Sequence, residues 1–118
     1  MAKAEADYRS ASALNRRRKE PVPDIVCYHC HQCAEKYLKA FLIEQGITPP
    51  RIHDLEDLLN LCALHDAALI AQLSLAQALN PFGVQIRYPG MSATIAEAKD
   101  AVKTIRRLRT AIRQALGL

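Results

Sequence analysis

Ile95, Ala98, Val102, Ile105, Leu108, Ile112 and Leu116 recur at intervals of three and four along the end of the chain. That spacing puts all seven side chains on one stripe of an α-helix and does not fit the alternating faces of a strand. A helix with one apolar stripe has to bury it against other helices. The period returns upstream, where Ala4, Tyr8, Ala11 and Leu14 predict a first helix over 3–18. Arg16 to Lys19 would close it with cations at the negative end of its dipole. Pro21 and Pro23 then break the chain. Asp24 is the expected N-cap of a second helix over 24–45, with Gly46 ending it. After a loop stiffened by Pro49 and Pro50, Asp54 is expected to cap a short apolar helix, "LEDLLNLCALH". A fourth helical segment, "AALIAQLSLAQAL", follows. Pro81, Gly83, Pro89 and Gly90 mark a second long loop, and Ser92 or Thr94 should cap a last helix over 93–116. Four long helical segments and one short one, joined by short connections, predict an all-α, up-and-down four-helix bundle with an additional short helix. The length, 118 residues, suits one domain with one core, so 1–118 is read as a single domain.

Residues 27–41, "CYHCHQCAEKYLKAF", test that reading, because three cysteines and two histidines crowd into seven positions. On a helical wheel Val26, Cys27, Cys30, Cys33, Ala34, Tyr37, Leu38 and Phe41 share one side. The cysteines therefore continue an apolar stripe as small, burial-prone residues. A metal site built on cysteine pairs usually presents them from a turn and needs a second ligand pair farther on. The later candidates, His53, Cys62 and His65, match no zinc-ribbon or finger spacing. Core thiols are the reading adopted, with no metal and no cofactor assigned.

No apolar run approaches the ~20 residues that span a bilayer, and no signal-peptide pattern opens the chain, so a cytoplasmic, membrane-free protein is expected. In a reducing compartment four cysteines should stay thiols. The net charge of +4 is uneven: residues 1–19 carry +4, residues 20–98 carry −5 and residues 99–118 carry +5. If the terminal helices pack side by side, their outer faces merge into a basic surface. That surface is either a solvated face or an attractor for phosphates or an acidic partner. His29, Gln32, Lys36 and Lys39 line a polar edge of the second helix, about one turn apart. It is either a hydrated rim beside the core or a strip that takes an anion. Glu35 and Lys39 stand in the i, i+4 orientation that supports a helix.

"YHCHQCAEKYLKAFL", "RIHDLEDLL" and "IRYPG", in that order, resemble the HEPN domain (higher eukaryotes and prokaryotes nucleotide-binding) over nearly the whole chain. Tyr28, His29, Cys30, Gln32, Ala34, Glu35, Lys36, Tyr37, Leu38, Lys39 and Ala40 fit the family's first block. His31 stands where Gln is usual and Cys33 where Ala is usual. His53, Asp54 and Leu55 supply the second block, and Arg87, Tyr88 and Pro89 the third. The resemblance implies a helical bundle that often dimerises and a proposed nucleotide-binding role. It also implies frequent pairing with a minimal nucleotidyltransferase in toxin–antitoxin systems. One branch of the family cleaves RNA with an Arg followed, after four to six residues, by a His. Such a pair suits that chemistry, since His moves a proton at the ribose 2′-OH and Arg stabilises the phosphate. This chain lacks it, because none of His29, His31, His53 or His65 follows an arginine at that distance. No catalytic residue is therefore assigned, and an enzyme is the less favoured class.

His29, Lys36, His53, Arg87 and Tyr88 are the candidate ligand-binding residues. Arg87 could grip phosphate and Tyr88 stack on a base; alternatively Arg87 pairs with Glu35 or Asp54 and Tyr88 plugs the bundle end. A pocket of His29, Lys36, His53 and Arg87 requires the loop 80–92 to fold back on the second helix. The expected function is a non-catalytic, homodimeric binding module for a nucleotide, an RNA phosphate or a nucleotidyltransferase partner. The alternatives are an RNase-like toxin with atypical catalytic residues and a purely structural interaction protein.

Overall fold

The structure, a computed structural model, describes residues 1–83 and 92–118. Its described residues form five α-helices and no strand: α1 (Ala2–Asn15), α2 (Pro23–Glu44), α3 (Leu55–Ala63), α4 (Leu73–Leu79) and α5 (Ile95–Ala115). Two 3₁₀ segments, Ala67–Gln72 and Asn80–Phe82, flank α4. Glu5 of α1 meets Arg109 and Arg113 near the end of α5, and Arg113 reaches Tyr37 of α2. Leu14, Val26 and Ala98 come together at the opposite end. α1 therefore runs antiparallel to both α2 and α5. Gln72 lies by Gln114, and Leu79 by Ala101, so α4 is antiparallel to α5. α1, α2, α4 and α5 alternate in direction as the four-helix bundle, and α3 is the additional short helix.

The ends of the helices follow local chemistry. α2 closes at Gly46, whose φ of 79° needs no Cβ to be accommodated. The Gly46 and Ile47 N–H groups donate to the Ile43 and Leu42 carbonyls, both at 2.9 Å, which satisfies two of the last free carbonyls. Asp54 caps α3 by accepting from the Asp57 N–H at 3.0 Å. Thr94 and Glu97 form a reciprocal capping box at the start of α5, so of the two residues predicted, Thr94 is the cap. Three main features differ from expectation. The fourth segment is not one long helix, because Ala67–Gln72 is 3₁₀ and only Leu73–Leu79 is α-helical. Val22, not Asp24, is the N-cap of α2, because Pro23 takes the first turn, where its missing N–H costs nothing. Asp24 instead accepts from the Ala93 N–H at 2.6 Å and ties the start of α2 to the residues before α5. α1 stops at Asn15 rather than at residue 18. The chain must reverse before Pro23 for α1 and α2 to lie antiparallel, and Arg16 to Glu20 make that reversal. Glu20 sits there in the left-handed region, at φ 48°.

α2 is the central element and packs against α1, α3 and α5. Val26, Cys27, Cys30, Cys33, Ala34, Tyr37, Leu38 and Phe41 are all buried, as the helical wheel requires. All four cysteines are buried and none forms a disulfide. Burial pushes the Cys33 and Cys62 thiols up to about 12 and moves Cys30 the same way. The Cys62 thiol donates to the Leu38 carbonyl at 3.4 Å. Leu55, Leu58 and Leu59 of α3 and Ile105, Leu108 and Ile112 of α5 complete the core. Each large side chain so buried contributes about 1.5–3 kcal/mol.

The thiols should behave as packing groups. Cys30→Ser is expected to destabilise the protein by about 1–3 kcal/mol in urea unfolding, since it buries a more polar group among apolar neighbours. Cys30→Ala should cost less. A thiol reagent should label the native chain slowly and all four cysteines once it is unfolded.

Candidate functional site

The polar edge of α2 lies half-buried, and two buried carboxylates organise it. Asp7, on α1, is 8 % exposed. It accepts from His29 Nδ1 at 2.8 Å and from Lys36 Nζ at 2.5 Å. His29 and Lys36 stand seven residues apart, two turns along one face, and the antiparallel α1 lays Asp7 between them. Glu35 is the second centre and is 6 % exposed. It accepts from Lys39 Nζ at 3.2 Å and from His53 Nδ1 at 3.0 Å. His31 Nδ1 stands 4.0 Å from it.

Of the predicted site residues, the structure thus joins His29 to Lys36, and it places His53 with Glu35 and Lys39 instead. Consecutive residues on a helix point about 100° apart, so Glu35 and Lys36 direct the two clusters to different sides of the edge. Arg87 and Tyr88 lie outside the described residues, as does the fold-back expected of their loop. Among the described residues no three His, Cys, Asp or Glu side chains gather as a metal site requires.

Both imidazoles engage their carboxylate through Nδ1. That contact sets the ring orientation and leaves Nε2 facing away from the carboxylate. The His53 side chain is 75 % exposed and that of His29 is 27 % exposed. The edge can therefore offer imidazole Nε2 and lysine N–H groups to a ligand, from positions held by the fold. Asp7 was missed at the sequence level, although a signal exists: it falls on the apolar stripe of α1, between Ala4 and Ala11.

His31 is buried and its Nδ1 has no hydrogen-bond partner among the described residues. Burial keeps its pKa below the ordinary 6.5, outweighing the opposing pull of Glu35. Gly83 lies directly against the ring, and a Cβ at that position would stand 3.0 Å from Nε2. Asn80 holds this stretch in place by accepting from the Leu55 N–H and donating to Asp54, at 2.9 and 3.1 Å.

The terminal helices do pack side by side, but part of their charge is spent at the seam. Glu5 takes a two-pronged contact from Arg109, at 2.7 and 2.5 Å. That guanidinium holds the Glu5 carboxyl down at about 2 and is itself pushed up. Arg109 also lies over the Tyr8 ring, 4.5 Å from its centre. Arg106 donates to the Tyr8 hydroxyl at 3.3 Å.

Two outcomes follow. Asp7→Ala should lower stability by about 1–3 kcal/mol in urea unfolding, because it strands two part-buried donors. His31 gives a signed pH effect. Its folded pKa is depressed, so the unfolded chain binds the extra proton below pH 6.5 and stability falls with pH there. The stability difference between the wild type and His31→Gln should therefore shrink from pH 7.5 to pH 5, at a limiting slope of about 1.4 kcal/mol per pH unit. A pH-independent difference would show that His31 titrates normally in the folded chain.

The model of the HEPN domain matches residues 1–115. No curated protein and no solved structure matches the chain. With helical architecture, the half-buried α2 edge and the family match in agreement, this chain belongs to the HEPN domain family.

Proposed function

We propose that the chain, as a single HEPN domain, is a non-catalytic binding module. Its α2 edge takes a phosphate-bearing ligand, a nucleotide or an RNA phosphate, and its partner is a minimal nucleotidyltransferase in a toxin–antitoxin-type pair. A homodimer is part of this reading. The observation that supports it is the pairing of each edge imidazole with a buried carboxylate. Asp7 and Glu35 hold His29 and His53 through Nδ1 and hold Lys36 and Lys39 beside them. A ligand then meets donors whose ordering cost is already met by the fold. Arg87 and Tyr88, one a phosphate ligand and the other a stacking surface, are proposed to complete the site from the loop that precedes α5.

The second reading is an RNase-like activity with atypical residues. What favours it is the same carboxylate–imidazole pairing, which also suits proton transfer at a ribose hydroxyl. The missing Arg-x4-6-His arrangement counts against it.

The readings separate in two assays. In a thermal-shift screen, a nucleotide at about 100 times its Kd should stabilise the protein by ~2.7 kcal/mol. His29→Ala, His53→Ala and Arg87→Ala should each reduce that gain. In an RNA-cleavage assay the purified chain should leave its substrate intact. Cleavage that is lost with His53→Ala would replace the binding module with the enzyme. No shift with any nucleotide and no cleavage would leave the interaction role.

A further inference from the structure

A cleft of about 500 Å³ opens at the end of the bundle where the α1–α2 turn meets the start of α5. Arg16, Arg17, Arg18 and Lys99 stand in its wall, and none of the described residues that line it is acidic. Its floor is apolar, made by Leu14, Val22, Val26 and Ile95. The α2 edge contributes nothing to this lining.

The early end of α1 creates the feature. Because the helix stops at Asn15, the three arginines leave the helical surface and cluster in the turn. Arg17 is partly engaged, donating to the Lys19 carbonyl at 2.9 Å and approaching Glu20 at 3.5 Å. Arg16, Arg18 and Lys99 have no carboxylate partner among the described residues, unlike Arg109 at the seam. Three cations without a carboxylate partner among the described residues, beside a fourth that is paired only loosely with Glu20, repel one another around a concave wall, and an anion relieves that repulsion. Guanidinium groups match phosphoryl oxygens with paired N–H donors. The volume falls within the range of small-molecule sites, about 300–1,000 Å³. An apolar floor is of no use to a bare anion, and it suits a flat or apolar body attached to one.

We propose that this cleft is a separate binding site for an organic phosphate, with the phosphoryl groups on Arg16, Arg18 and Lys99 and the organic body on the floor around Val22 and Ile95. The same chemistry is offered by a free small molecule and by the phosphorylated end of a nucleic acid strand.

The test is calorimetry in the His29→Ala/His53→Ala background, which weakens ligand binding at the α2 edge. The probes are pyrophosphate, ADP, and a short RNA with either a 5′-phosphate or a 5′-hydroxyl. ADP is expected to bind more tightly than pyrophosphate. Arg16→Gln/Arg18→Gln should weaken it by at least about tenfold while the melting curve stays cooperative. Ile95 is 52 % exposed, so Ile95→Ala should leave the fold intact. That variant should weaken ADP about threefold and leave pyrophosphate unchanged. If the 5′-phosphorylated RNA beats both ADP and its 5′-hydroxyl form, the source is a strand end; if ADP beats both RNAs, it is a free small molecule. Equal binding of all polyanions, indifferent to Ile95→Ala, would reduce the cleft to a basic surface and overturn the proposal. So would ADP affinity that survives the arginine substitutions.

Discussion

Helix α2 is enclosed by α1, α3 and α5, and the rest of the molecule depends on how it tolerates that enclosure. A helix buried on several sides needs small residues where neighbours come close and large ones where they do not. Cys27, Cys30, Cys33 and Ala34 meet the first need; Tyr37, Leu38 and Phe41 meet the second. Protein interiors are packed at crystal-like density, so each of these positions restricts what its neighbours can be. Enclosure also means that polar residues on α2 cannot all reach water. Those next to the core must find partners within the protein or lose their hydration without return.

Asp7 and Glu35 are the answer to that requirement. Each carboxylate is nearly closed off from solvent, and each accepts hydrogen bonds from one imidazole and one ammonium group. The networks join α1 to α2 and α2 to the residues preceding α3, so they fasten the bundle where its apolar contacts end. Removing one member exposes the others to the cost of being buried unpaired, which exceeds the net worth of a typical hydrogen bond. The same fastening gives the edge its functional interest: imidazoles and lysines arrive there with their positions set. The structural network and the proposed recognition edge are thus one set of residues seen from its two sides.

The arginines divide by what faces them. Arg109 is committed to Glu5 and Tyr8 at the α1–α5 seam. Arg16 and Arg18 stand around a cleft with no acid among its described lining residues. A count of charges treats these groups alike, since all lie in the basic ends of the chain. The position of Glu5 on α1, opposite the last turns of α5, is what separates a neutralised cation from an available one.

Much of the fold was legible before any coordinates, and for local reasons. The three- and four-residue spacing in α5, the glycine after α2, the Asp54 and Thr94 caps and the inward-facing thiols all rest on periodicity or on hydrogen bonds within a turn of the residue concerned. The errors were at Asp24, where Pro23 takes the first turn and the remote Ala93 takes the carboxylate, at the end of α1, where the chain must reverse before α2, and at 67–72, which is 3₁₀ rather than part of an α-helix. The site divided along the same line. The polar edge of α2, with His29 and Lys36 on it, could be read from its spacing, whereas His53 enters through the family resemblance. That Asp7 joins two of them, that Glu35 claims the third, and that the three arginines border a cleft required the helices to be placed against one another. Short-range stereochemistry sets where a helix begins and which face is apolar. Which carboxylate meets which cation depends on packing between segments as far apart as Glu5 and Arg109, 104 residues along the chain, and a single sequence carries no period or cap that records it.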